Sequence, residues 1–156
     1  MTIPIIDIHC SVPIKYALRI LSKRDYTISE MKKKMKLKGY EPKEVDEAIK
    51  KLLDWNYLNE DRAAKSTIRK YGSSKGNRFI IQKLRERGIK PDDYQEEVDL
   101  LDSELDRALA FIKKKVTQKG ELQENKILSG LAYRGFSSAT CFKALKQYKA
   151  YLADQN

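Results

Sequence analysis

The chain has 156 residues, of which 41% are hydrophobic and 35% charged, a length that suits one domain or a short array of small units. No apolar run approaches the roughly 20 residues needed to cross a bilayer and no secretory signal pattern stands at Met1, so a cytoplasmic protein is expected. The net charge of +10 predicts an anionic partner, nucleic acid or an acidic protein surface, while two isolated cysteines, Cys10 and Cys141, lack metal-ligand spacing and predict a reduced compartment.

Residues 1–12 carry Ile3, Ile5, Ile6 and Ile8 interrupted by Pro4, which reads as an extended arm or edge strand. His9 is the only histidine, and with Cys10 it cannot complete a tetrahedral metal site, so a structural residue and no metal are expected there. A first unit follows over 13–58. Pro13 opens a helix with Ile14, Ala17, Leu18 and Leu21 at i, i+3, i+4 and i+7, the spacing of one buried stripe. Thr27 and Glu30 have capping-box spacing for a second helix, in which Met31 and Met35 face inward and Lys32, Lys33, Lys34, Lys36 and Lys38 fan outward. Pro42 opens a third helix, reaching about Trp55 and burying Val45, Ala48, Ile49, Leu52 and Leu53.

After a short link at 56–60, the second unit spans 61–102. Its first helix keeps Ala64, Thr67, Ile68 and Tyr71 in register, residues 72–76 read as a flexible turn, and the next helix points Phe79, Ile80 and Leu84 inward and Arg78, Lys83, Arg85 and Arg87 outward. Pro91 begins a third helix with Tyr94, Val98 and Leu101 inside and an acidic exposed side made by Asp92, Asp93, Glu96, Glu97 and Asp99. The third unit, 103–152, has Leu105, Leu109, Ile112 and Val116 on one face of its first helix and Lys113, Lys114 and Lys115 on the other, up to Gly120. Helices over 122–134 and 137–152 complete it with Ile127, Leu128, Leu131, Phe142, Leu145 and Tyr148 packed inside and Ser137 or Ser138 as the cap. Nine helices result.

The three units repeat one pattern. Aligned on Gly39, Gly88 and Gly135, spaced 49 and 47 residues apart, they share apolar residues eight and four before the glycine (Met31, Ile80 and Ile127; Met35, Leu84 and Leu131). A cation precedes each glycine (Lys38, Arg87, Arg134), an apolar residue follows it (Tyr40, Ile89, Phe136), and six and ten residues later come Val45 and Ile49, Tyr94 and Val98, Cys141 and Leu145. A glycine closing a periodic run tolerates the left-handed turn, and the cation complements the negative helix end. The reading is helix, turn, helix in an all-α array of similar units.

Catalysis leaves no mark: there is no nucleophile with its base and no phosphate-cradling glycine motif, and the carboxylates of 92–102 read as a solvated helix face. A non-enzymatic protein without cofactors is expected. By segment, 11–60 carries 12 basic and 8 acidic groups, 61–102 carries 10 and 8, and 103–156 carries 10 and 5, so the positive surplus lies in the first and last units. Tyr26, Tyr40, Tyr71 and Tyr133 are expected as core or cap contacts rather than as platforms for bases.

Several stretches resemble the RecX family of regulators of the RecA recombinase. Ala17 to Leu21, Arg24 and Ile28 to Met31 resemble the opening of its first unit; Leu58-Asn59-Glu60-Asp61-Arg62-Ala63-Ala64 is similar to its L-D-D-x-R-F-A link. Lys75-Gly76 with Ile80, Leu84 and Arg87-Gly88-Ile89, and Leu131-Ala132-Tyr133-Arg134-Gly135-Phe136-Ser137, look like its two later motifs. Asn59 and Ala63 depart from the family's Asp and Phe. The resemblance implies three tandem three-helix repeats forming an elongated, curved helical array. It also implies a protein that binds the RecA–DNA filament and inhibits its ATPase, strand exchange and growth in recombination and repair. Such a regulator is expected to have weak, sequence-independent affinity for single- and double-stranded DNA, and nothing in the residues demands more than a monomer. A basic helical body suits such a filament, since several contacts made at once slow release and lysines are drawn to phosphates. Lys32, Lys33, Lys34, Arg62, Arg78, Arg85, Lys113, Lys114 and Lys115 are the expected electropositive contacts, and Gly39, Gly88 and Gly135 the turns. The alternative is a winged-helix or helix-turn-helix transcription regulator, with residues 26–58 as the reading head before a wing.

Overall fold

The computed structural model describes residues 11–156; the expected arm, with His9 and Cys10, lies almost wholly outside them. Among the described residues there are nine α-helices and no strand: α1 Val12–Leu21, α2 Ile28–Lys38, α3 Pro42–Asp54, α4 Glu60–Tyr71, α5 Asn77–Glu86, α6 Gln95–Asp99, α7 Glu104–Lys119, α8 Glu124–Tyr133 and α9 Ser138–Asp154. They form two compact units, residues up to 66 with 86–89, and residues 67–85 with 90–156.

In the first unit α1, α2 and α3 pack on one another around Ile14, Ala17, Met31, Met35, Val45 and Leu52. Met31 and Met35 are fully buried, and hiding a side chain of that size stabilises by about 1.5–3 kcal/mol. The capping box at Thr27 and Glu30 is formed: the threonine oxygen accepts from the Glu30 N–H at 3.1 Å, and the glutamate accepts from the Thr27 N–H at 3.0 Å. Gly39 closes α2 at φ +98°, sending the chain into Pro42. The stripe of α3 ends one residue sooner than its pattern suggests. Leu52 is buried, but Leu53 stands 40% exposed on the neighbouring face, because 100° of rotation per residue carries it out of the seam. The segment after Leu58, expected as a wing in the winged-helix alternative, is helix α4.

In the second unit α7 packs along α9, with α8 beside both, around Ala108, Ile112, Ile127, Leu131, Phe136 and Leu145. Ser103 and Ser137 cap α7 and α9 by accepting from the Asp106 and Thr140 N–H groups. The glycine-aligned apolar positions are buried throughout, apart from the half-buried Tyr40 and Tyr94, and the glycines themselves share the left-handed region, with Gly88 at φ +78° and Gly135 at +80°.

Four expectations are corrected here. The acidic helix from Pro91 is a 3-10 turn, Pro91–Tyr94, followed by five α residues. Only Val98 is buried in it, and with one anchor and no side-chain cap a longer helix has nothing to hold it. Residues 72–76 are a packed turn, not a flexible one. The Gly76 N–H donates to the Arg134 carbonyl at 2.9 Å, and a Cβ there would strike the Gly135–Phe136 peptide. Phe142 and Tyr133, expected inside, are 63% and 80% exposed, since Cys141 and Ala144 hold the buried face of α9 and Leu131 that of α8. Arg87, expected to point outward, is half-buried against Glu30.

Candidate protein and nucleic-acid interface

The lysines of α2 follow from its stripe: once Met31 and Met35 turn inward, Lys33, Lys34, Lys36 and Lys38 are left exposed and Lys32 half-buried. On α7 the buried Ala108 and Ile112 leave Lys113 and Lys114 exposed, while Lys115 is half-buried beside the Phe111 ring, its ammonium 5.8 Å from the centroid. None of Lys32, Lys33, Lys34, Lys113, Lys114 and Lys115 pairs with a described carboxylate. Arg78 and Arg85 are exposed on α5. Arg62 is placed differently. Its Nε donates to Asp25 Oδ1 at 2.6 Å and its Nη2 to the Tyr57 carbonyl at 3.0 Å, so it braces its own unit.

Arg62 belongs to a device that occurs once in each unit. Glu60, first residue of α4, accepts from the Ile28 N–H at the start of α2 (3.3 Å); Glu104, first residue of α7, accepts from the Asn77 N–H at the start of α5 (2.6 Å). Each carboxylate sits where a helix N-terminus has unmet donors and a positive dipole end. Beside it an arginine holds the loop before the capped helix, Arg62 through Asp25 and Arg107 through the Lys75 carbonyl and the Asn77 amide oxygen. Both arginines also donate to the carbonyl five residues upstream. Sequence reasoning did not assign this pairing, though the signal is there: Asp-Arg-Ala stands at 61–63 and again at 106–108. Ala63 and Ala108 are fully buried at equivalent places. Asn59 caps α4 by accepting from the Arg62 N–H at 2.9 Å, a role Asn fills as well as Asp.

Arg107 is the most buried cation among the described residues, 4% exposed, yet its side chain donates to two carbonyls and an amide oxygen. Burial lowers its guanidinium from the ordinary value, and the nearby charges of Glu104 and Asp102 act against that. Arg134 lies over the Phe111 ring at 4.4 Å and donates to the Gly130 carbonyl at 3.1 Å. Glycine at 130 leaves room for the ring, since a Cβ there would lie 2.9 Å from Phe111 Cζ. No cluster of acids, histidines and cysteines among the described residues could hold a metal ion, and no described helix is long and apolar enough to cross a membrane.

Residues 14–52 match the family described as RecX, first three-helix domain. Over 134 residues the chain is 35% identical to a regulatory protein RecX of Vibrio campbellii, covering 78% of this chain and 81% of that one. A second regulatory protein RecX, from Trichlorobacter lovleyi, is 30% identical over 133 residues, 78% of this chain and 86% of the relative. The crystal structure of RecX from Lactobacillus salivarius superposes with a TM-score of 0.68 over 88% of this chain and 95% of that chain; at 20% identity this likeness speaks of the fold alone.

Proposed function

The chain belongs to the RecX family of regulatory proteins, and from that premise we propose that it binds the RecA–DNA filament and restrains its ATPase, strand exchange and growth. It does so without catalysis or cofactor, as a cytoplasmic monomer built of three repeats, 13–58, 61–102 and 103–152. The observation that carries the reading is the pair of lysine runs that no described carboxylate pairs with, Lys32, Lys33 and Lys34 on α2 and Lys113, Lys114 and Lys115 on α7. Unpaired lysines draw a helix face to phosphates in a salt-dependent way, and two such faces on one chain engage a repeating filament multivalently. Regulation then follows from differential binding: a ligand that favours one filament state, or a terminus unable to add subunits, shifts the population toward it. Arg78 and Arg85 add exposed charge on α5, whereas Arg62 supports the fold beneath.

Retention on RecA filaments assembled on single-stranded DNA, measured beside naked DNA, tests this. Strong retention on filaments and weak, sequence-indifferent retention on DNA are expected. Combined triple alanine replacement of both lysine runs should weaken filament binding and flatten its salt dependence. Sequence-specific retention on duplex, without help from the recombinase, would favour the helix-turn-helix regulator instead.

A further inference from the structure

Within the second unit, the turn at 73–75, α7 and the C-terminal end of α8 enclose a cleft of about 490 Å³. Five cations line it, Lys75, Arg107, Lys114, Lys115 and Arg134, together with the hydroxyls of Ser73 and Ser74, and no carboxylate does. A concentration of one sign of charge in a walled depression is costly to the folded chain unless an ion of opposite sign completes it. The charge of Arg107, a buried guanidinium whose hydrogen bonds go to neutral oxygens, is offset in part by the nearby charges of Glu104 and Asp102. Those bonds hold Arg107 in place in the lining of the cleft. An incoming phosphate would meet the ammonium groups of Lys75, Lys114 and Lys115 and the two serine hydroxyls, the mixture that recognises phosphodiesters.

A second, smaller cleft of about 220 Å³ shares Phe111, Lys115 and Arg134 with the first. Its lining adds the apolar Ile127 and Gly130, flanked by Lys119 and Lys126, with Glu121 as its only carboxylate. The Arg134–Phe111 stack is thus the wall between a cationic depression and a mixed one with an apolar floor. A polyanion of bare phosphates uses only the first. A chain that alternates phosphate with a flat apolar face uses both.

We infer that this pair of clefts binds one unpaired nucleic-acid strand, its phosphodiester against Lys75, Lys114 and Lys115 and an adjoining base against the Phe111 side of the Arg134 stack. A duplex turns its bases inward and offers this site phosphates alone. The inference rests on the nucleic-acid half of the function proposed above, and it locates that half in one unit.

The test is fluorescence anisotropy of a labelled oligothymidine without recombinase. The pairs compared are Lys114→Glu with Lys115→Glu, and Lys143→Glu with Lys146→Glu on exposed α9; circular dichroism confirms that both fold. The cleft pair is expected to weaken binding about tenfold or more and to flatten the salt slope by about 1.4, two phosphate contacts at roughly 0.7 each for a single strand. The α9 pair should weaken it no more than about twofold. Equal losses would overturn the site in favour of diffuse attraction. An abasic strand of equal length should bind more weakly than oligothymidine, and a duplex or tripolyphosphate should compete less well per phosphate; equality in these comparisons would overturn the strand assignment. Retention of the same variants on the recombinase filament is scored separately, so that loss of the cleft and loss of the filament reading are told apart.

Discussion

Arg87 grips Glu30 side-on, Nε to Oε1 at 2.9 Å and Nη2 to Oε2 at 3.1 Å, across 57 residues of sequence. The same guanidinium donates to the carbonyls of Asp25 and Ala63, and the Thr27 hydroxyl donates to the Arg87 carbonyl at 2.7 Å. One arginine therefore ties the capped start of α2 to the segment 86–89 and to α4 within the first unit. Lysine keeps the charge but loses the planar fork. Arg87→Lys should lower the free energy of unfolding by about 2 kcal/mol, the scale of a charge-assisted bidentate pair that is mostly desolvated. Urea denaturation reads it, and a loss under about 0.5 kcal/mol, the scale of exposed pairs, would show the contact to be incidental.

Glu30 makes that stability depend on pH. Burial on its own raises its carboxyl; hydrogen bonds from Arg87 and the Thr27 N–H, with the charges of Arg87 and Arg24, outweigh it and hold the group below its ordinary 4.5. A carboxyl lowered by folding contributes its stability above the unfolded-state value and loses it as pH falls through the folded one. Wild type should therefore exceed Glu30→Gln in melting temperature by a constant margin at neutral pH, a margin that shrinks once pH drops below about 4.5. A margin unchanged down to pH 3 would mean that it does not come from the ionised carboxylate.

The turn glycines look alike in sequence and differ in what surrounds them. At Gly39, φ +98°, a Cβ meets nothing within 4 Å, whereas at Gly88 it would lie 2.7 Å from Ser29 Cβ and at Gly135 2.6 Å from the Phe79 Cβ and backbone nitrogen. Gly39→Ala should cost only the left-handed penalty of about 1–2 kcal/mol. Gly88→Ala and Gly135→Ala add a collision and should cost about 3 kcal/mol or more. Thermal melts of the three variants check the order, which equal losses would contradict.

What could be read from the residues, and what could not, divides along the same physical line. Periodic apolar positions and the glycine after them report burial directly, so Met31, Met35, Ile80, Leu84 and Leu131 were legible as core. Pattern says less about cations: Asp-Arg-Ala recurs at 61–63 and 106–108, yet the repeat does not say that its arginines brace a helix end. Arg62, Arg87 and Arg107 become distinguishable only when Asp25, Glu30 and the Lys75 carbonyl are brought beside them by the fold. Phe142 and Tyr133 show the converse limit: a large apolar residue one step off the seam is exposed whatever its hydropathy. The lysine runs on α2 and α7 were legible as exposed charge, but the clefts beside α7 were not, because they depend on Ser73, Ser74 and Arg134 coming to one place.

Arg107 gives the strongest dependence on a single side chain. Its fork reaches the Asp102 carbonyl at 2.9 Å, the Lys75 carbonyl and the Asn77 amide oxygen, so one group fastens the start of α7 to the turn before α5. Truncation takes the shared donor from those part-buried acceptors, and a lysine has a single point of charge to divide among them. Arg107→Ala should destabilise by about 3–4 kcal/mol and Arg107→Lys by about 2 kcal/mol, in keeping with loss of a buried, hydrogen-bonded charge. The loss should be local at first. Limited proteolysis should cut at 72–76 in Arg107→Lys well below its melting temperature, where the wild-type turn, held by the Gly76 bond to the Arg134 carbonyl, resists. Cleavage at that turn with equal ease in both proteins would show that the turn is held by its glycine packing and not by the arginine.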